Sequence, residues 1–402
     1  MMTVLLLGAG ASKAYNGSST GLKMPIAADF FRTFEKLAIF SNPWVLREAL
    51  WEYLYRVRQV DPDAYLRSGI NIEALHSEIE EVLLDTLDKG NSFEKISAFR
   101  PYNELTYIFA SVINEIQNGP IAEPHTILAT KLQLKDVVVT FNWDTLMDRA
   151  LHQTGRWSVD QGYGFLPKSI YRKQWVAPAG DQPEAGPVLL KLHGSSNWLT
   201  SHPVSDQGKF VPMQAASPDT VWVYEHSKEP YDCYAGRYMP GYEPFSYGYY
   251  PPNILDDRGK PPPEGHVVIR MRPKVPWKPE GSAGSSGLVS APLIIPPVRN
   301  KRYDAFGAPF HDLWKKAQDA IQLAEHIVIV GYSFPRTDTK SRDMFVQAFM
   351  NRRTIPVVSI VDPFPDPVVS VLNLDFGIPR SHLRVYKSYF APDHDIDGLF
   401  TL

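Results

Sequence analysis

Four short apolar runs, far apart in the chain, each end in a glycine or small polar turn, and this pattern constrains the fold more than any other. Val4–Leu7 runs into Gly8-Ala9-Gly10-Ala11-Ser12, and Val137–Val139 into Thr140-Phe141-Asn142-Trp143-Asp144. Val188–Leu190 runs into Lys191-Leu192-His193-Gly194-Ser195, and Ile327–Val330 into Gly331-Tyr332-Ser333-Phe334-Pro335. A continuous apolar run bounded by turn residues reads as a strand buried on both faces. Between the runs lie segments with apolar residues at helical spacing. Leu46, Leu50 and Leu54 form one stripe, and Ile72, Leu75, Ile79, Val82 and Leu83 another. Leu105, Ile108, Val112 and Ile116 form a third, and Thr126–Leu132 a fourth short helix. Leu313–Leu323 and Asp343–Met350 also read as helices, with further strands at Leu293–Ile295, Val357–Val361 and Leu383–Tyr386.

Strands alternating with helices predict an α/β fold, a Rossmann-like, mostly parallel, doubly wound sheet. The whole chain, 1–402, reads as one domain with two insertions. The first, about 41–130, is helical and opens at Asn42-Pro43, a cap followed by proline at the first helical position. The second, about 200–298, is rich in Pro, Gly, Tyr and Trp, and reads as irregular and partly β. It contains Gly281-Ser282-Ala283-Gly284-Ser285-Ser286-Gly287, which has the composition of a mobile loop. Trp222, Tyr224, Tyr231, Tyr234 and Tyr238 in this segment are candidates for an exposed oligomer or partner surface, or for local packing.

Composition excludes several classes. A net charge of −3 provides no global basic field for nucleic acid, though a local patch stays open. Cys233 is the only cysteine, so neither an intrachain disulfide nor a cysteine-rich zinc site can form. The first apolar run is too short for a signal peptide and no stretch reaches membrane-span length, which fits a cytoplasmic protein.

In an open α/β sheet, ligands bind beyond the carboxyl ends of the strands. Gly8 and Gly10 let backbone approach a pyrophosphate, and Ser12 offers a hydroxyl, although an ordinary strand-to-helix turn fits a lone Gly-x-Gly equally well. Asp144 suits the cap of the helix that follows, which leaves the Asn142 amide for a ribose hydroxyl or a water. His193, with an ordinary pKa of about 6.5, is a candidate general base. His76, His125 and His326 read as surface or core residues. Ser333 is placed to bond a nucleotide and Phe334 to wall its pocket. Asp338 reads as a helix cap, and Asp362 as either a ribose ligand or a turn into Pro363.

In this order, the four motifs resemble the sirtuin superfamily, and more closely its bacterial SIR2-like branch found in antiphage defence. The resemblance spans about residues 3–365. It implies an NAD site in which Gly8, Ala9, Gly10 and Ser12 hold the pyrophosphate side and Asp144 belongs to the binding set. Asn142 and His193 match the family's catalytic asparagine and histidine, and Gly331, Ser333 and Asp362 would line the adenosine side. Glu73 resembles an acidic position in the branch's helical insertion. The four-cysteine zinc module of the deacylases is missing here, as it is from the SIR2-like defence proteins. The resemblance therefore implies NAD+ as substrate and no metal. The expected activity is hydrolysis to nicotinamide and ADP-ribose, depleting NAD+ when triggered, as in abortive infection. A homo-oligomer and a companion such as a HerA-like hexameric ATPase are implied partners. An NAD-dependent deacylase, a non-catalytic NAD or ADP-ribose binding subunit, and a nuclease component are the rival expectations.

Overall fold

The computed structural model describes residues 2–37, 40, 47–172, 175–180, 186–201, 205–206, 209–210, 221–225, 233–234, 237–238, 248–249, 270–271, 274–275, 288–298, 301, 307–335, 338–392 and 396–400. Asn42-Pro43, Leu46, Tyr231 and the Gly281–Gly287 run lie outside these residues.

Six strands pair in parallel into one sheet, in the order Leu383–Tyr386, Val357–Val361, His326–Val330, Thr3–Leu7, Val137–Thr140, Val188–Lys191. Numbered by chain position, this is the 3-2-1-4-5-6 order of the doubly wound sheet, read from its far edge. The direction of winding reverses between Thr3–Leu7 and His326–Val330, which pair from Thr3↔His326 to Leu7↔Val330. Val4, Leu5, Leu6 and Val328 are fully buried, as central strands covered on both faces require. The helices Glu123–Lys131 and Leu146–Gln153 pack on each other, as do Ala308–Leu323 and Thr339–Met350.

Between the first two strands of this sheet the chain forms a helical layer with its own core. Its main members are Glu48–Arg56, Pro62–Arg67, Ile72–Lys89 and the 25-residue Ser92–Ile116. Asn71 starts Ile72–Lys89 by accepting from the Glu73 N–H at 2.7 Å. Ile72, Leu75, Ile79 and Leu83 then bury against Leu105, Ile108 and Val112, each contributing roughly 1.5–3 kcal/mol. Val82, expected in that stripe, is instead 38% exposed, because it stands one position off the buried face. The helix Pro62–Arg67 was not anticipated; its six residues are too few to show periodicity.

The segment expected to be partly β does supply strands, but their assembly with others into a second six-stranded sheet was not foreseen: Lys274–Val275, Leu288–Ile294, Gly194–Ser201, Trp222–Tyr224, Ser169–Tyr171 and Trp175–Val176, in that order. It decides between the two readings of Trp222 and Tyr224 in favour of local packing. Trp222 is fully buried and Tyr224 is 6% exposed, packed with Trp175 and Leu199, so neither forms an exposed partner surface. The backbones of Tyr234 and Tyr238 lie in a two-stranded antiparallel ribbon. Among the described residues no helix is long and apolar enough to cross a membrane.

Candidate active site

At the reversal point the two glycine turns press directly against each other. Gly8 donates its N–H to Val330 O, and Gly10 donates to Gly331 O, both at 3.0 Å. A Cβ on Gly8 would lie 2.4 Å from Gly331 O, and one on Gly10 2.7 Å from Gly331 Cα. Gly331 itself has φ +59°, and its Cβ would lie 2.5 Å from Gly10 Cα. These glycines are therefore demanded by one another's backbone, before any ligand is considered.

Beside them opens a cavity of about 440 Å³. Gly8, Ala9, Ser12, Asn142, Asp144, His193, Gly331 and Ser333 line it, and so does Glu73. Gly10 and Asp362 are not in its wall. Asp362 ends its strand with Oδ1 accepting from the Phe364 N–H at 2.7 Å, the turn into Pro363. Phe334 does not wall the cavity either. With φ +50° its ring turns into the core against Phe345 and Phe376, and the neighbouring Tyr332 takes the wall position.

Asn142 is held by its donors. Its Nδ2 donates to Gly8 O at 2.8 Å and to Ser12 Oγ at 2.9 Å. A backbone carbonyl only accepts, so the nitrogen must point there and Oδ1 is the end left for a ligand. Ser12 is 2% exposed and donates its own proton to Asp144 Oδ2 at 2.5 Å. Its hydroxyl is thus engaged on Asn142 and Asp144, the opposite of a free phosphate ligand. The other oxygen of Asp144 accepts from the Leu146 N–H at 3.1 Å, close to the capping role expected. Thr145 takes the formal cap position, and its N–H donates to Gln117 Oε1 at 2.7 Å. Behind this loop Lys191 reaches the Asp144 carbonyl and pairs with Asp148 at 2.9 Å, with Lys191 1% and Asp148 3% exposed.

His193 stands where the chain leaves the parallel sheet and, at Gly194, enters the second one. Rings flanking Asn142 embrace it: Phe141 edge-on at 5.1 Å and Trp143 at 5.5 Å between centroids. Trp143 is fixed in turn by its Nε1 donating to Ile295 O at 3.0 Å. His193 Nε2 lies 3.1 Å from Asp338 Oδ2, and Lys301 Nζ lies 3.2 Å from the same oxygen. Burial holds the imidazole below its ordinary pKa, and the Lys301 charge pushes it the same way. Asp338 and the Phe141 carbonyl oppose them.

Lys301 and Asp338 are the charged residues of the cavity wall that sequence alone missed as site residues. Asp338 does cap Thr339–Met350, accepting from the Ser341 N–H at 3.2 Å, so its local role masked the second one. Lys301 sits in no motif. The apolar wall, with Met24, Ile26, Phe30, Ile72, Phe109 and Ile113, comes largely from the helical layer. His76, His125 and His326 are core residues, between 0% and 1% exposed. Among the described residues no group of three or more His, Cys, Asp or Glu side chains is arranged to hold a metal ion.

No protein-family model matches the sequence, and no curated protein matches it. Solved structures that resemble the chain include a Sir2 homologue mutant in an ADP-ribose complex. It is 10% identical, with a TM-score of 0.34 over 99% of this chain and 90% of that one. A second is a structure described as the basis of sirtuin substrate affinity, 11% identical, with a TM-score of 0.32 over 97% and 88%. A third is Sir2 with a p53 peptide and NAD+, 11% identical, with a TM-score of 0.28 over 97% and 88%. All three likenesses are distant.

Proposed function

We propose that the chain hydrolyses the nicotinamide–ribose bond of NAD+, giving nicotinamide and ADP-ribose. One observation carries this: Asn142 and His193 line a single cavity at the reversal point of a parallel sheet, with Asn142 presenting its carbonyl oxygen. The cavity volume of about 440 Å³ suits a small-molecule site, typically roughly 300–1,000 Å³. Its apolar wall suits a flat ring, and its polar end suits ribose hydroxyls. The motif resemblance supplies the identity of the substrate.

Cleavage breaks the bond between ribose C1′ and the ring nitrogen, and the electron pair leaves with nicotinamide. Positive charge develops at C1′, as in glycoside hydrolysis. Asn142 Oδ1 accepts from a ribose hydroxyl or from the attacking water, and so aligns it. The water oxygen bonds to C1′ as its O–H bond breaks, and the proton passes to His193 directly or through a ribose hydroxyl that gives up its own proton and takes the water's in return. A proton released to solvent closes the balance. The same resemblance leads us to propose antiviral NAD+ depletion as the biological role. It would be gated by a companion such as a HerA-like ATPase and carried out by a homo-oligomer.

The test is NAD+ consumption and product identity by chromatography. The full chain is assayed alone and with the product of its neighbouring gene, beside Asn142→Ala and His193→Ala. Loss of about 10²-fold or more in each variant is expected. Full activity in both variants, or binding without turnover in every combination, would sink the proposal.

A further inference from the structure

Asp338 divides its two oxygens between different tasks. Oδ1 caps the helix Thr339–Met350, while Oδ2 meets His193 Nε2 and Lys301 Nζ at 3.1 and 3.2 Å. The three side chains come from separate parts of the chain: the end of Val188–Lys191, the segment after Leu288–Ile294, and the turn after His326–Val330. All three line the cavity, and their side chains are between 2% and 8% exposed. A helix cap needs one acceptor and is as effective at a surface. Burying a carboxylate this deeply is costly unless its charge is matched, and here Lys301 matches it. The ammonium and carboxylate cancel, so a neutral imidazole completes a group of zero net charge that gains one unit when His193 is protonated.

We infer that Asp338, anchored by Lys301, is the positioning partner of His193: it fixes the ring's orientation and stabilises the imidazolium formed in the hydrolysis proposed above, on which this inference rests. In that step an O–H bond of water or of a ribose hydroxyl breaks and an N–H bond forms on the imidazole. Asp338 stays ionised throughout, as the orienting carboxylate of a catalytic triad does. Without it, an imidazole enclosed by Phe141, Trp143 and Trp314 and facing Lys301 would be a poor proton acceptor. The other carboxylates in the cavity wall are Glu73 and Asp144, and Lys340 stands 5.3 Å from the Trp314 ring.

Asp338→Asn separates the two tasks, because an asparagine still caps the helix but carries no charge. In this variant kcat for NAD+ should fall about 10²-fold with KM little changed. The His193 ring is followed by NMR without NAD+, its signal assigned by its absence in His193→Gln. It should titrate at lower pH in Asp338→Asn and at higher pH in Lys301→Met. If neither titration moves, the inference is overturned. If Asp338→Asn does not fold, the Lys301→Met titration decides alone. The two proposals fail differently. A wild-type chain that never cleaves NAD+, but whose ring titrations shift as stated, refutes hydrolysis and upholds the pairing. If wild type is active, His193→Gln is dead and Asp338→Asn keeps the wild-type rate and pH profile, the pairing alone is refuted.

Discussion

Replacing Gly8 with alanine tests whether the two glycine turns lock each other or merely lie side by side. Gly8 has φ −118° and ψ −175°, extended backbone that any residue adopts, so the change brings no dihedral strain. It brings only a methyl group, 2.4 Å from Gly331 O and 2.5 Å from Tyr332 Cα. Both are backbone atoms, and no rotamer change removes them. Relief requires sliding Thr3–Leu7 against His326–Val330, which loosens the 3.0 Å bond from Gly10 N to Gly331 O. Overpacking costs about 1–3 kcal/mol and a weakened hydrogen bond about 1 more, so a loss of about 3 kcal/mol is expected. Gly21→Ala is the control: its φ is +70° and nothing lies within 4 Å of the new Cβ. It should lose only the conformational penalty, about 1 kcal/mol. Gly331→Ala combines the left-handed backbone with contact on Gly10 and should lose about 4 kcal/mol. Urea unfolding followed by tryptophan fluorescence gives the three midpoints at a common slope. If Gly8→Ala loses no more stability than Gly21→Ala yet loses all affinity for NAD+, the lock is refuted. The glycine would then serve ligand approach alone.

Three further outcomes follow from the same geometry. Lys191→Met or Asp148→Asn, each leaving half of a buried pair, should cost about 3–5 kcal/mol by urea unfolding. Lys191→Met/Asp148→Leu should cost less than the sum of the two matching single changes; strict additivity would mean the pair does not interact. His76 is fully buried and its pKa is lowered to about 3. The unfolded chain therefore binds a proton near pH 6.5 that the folded chain refuses. Its contribution is intact above pH 6.5 and is lost as pH falls towards 3, by about 2 kcal/mol at pH 5. His76→Leu should flatten the stability–pH curve in that window, and an unchanged curve would exclude His76 as its cause. Trp222→Ala should cost roughly 3–5 kcal/mol with no change in oligomeric state, measured by denaturation and light scattering. An altered assembly at unchanged stability would contradict the buried placement.

What could be read from the sequence follows from which interactions are local. Val4–Leu7, Val137–Val139, Val188–Leu190 and Ile327–Val330 are apolar without interruption because both faces of the parallel sheet are covered, and that signature needs no partner to recognise it. The strand Gly194–Ser201 was missed for the converse reason. Ser195, Ser196 and Asn197 are polar and yet between 0% and 1% exposed. Ser195 Oγ donates to Asn197 Oδ1 at 2.6 Å, and Asn197 Nδ2 to Tyr224 O at 2.7 Å. Gln117 Nε2 reaches Ser196 Oγ at 3.2 Å. No alternation survives when hydrogen bonds replace apolar contacts. Asp338 shows a subtler limit: its cap was correctly legible, and a residue with one sufficient local explanation gives no sign of a second, distant one. The motif residues divide along the same line. Asn142 and His193 were visible because they interrupt apolar runs. The roles of Gly8, Gly10 and Ser12 depend on Gly331 and Asp144, which only the pairing of strands brings near. A short motif at a strand end thus marks where a cavity lies more reliably than it tells which of its side chains are engaged elsewhere. Here Ser12 is engaged with Asn142 and Asp144, while Lys301, in no motif, stands in the cavity wall beside Asp338 and His193.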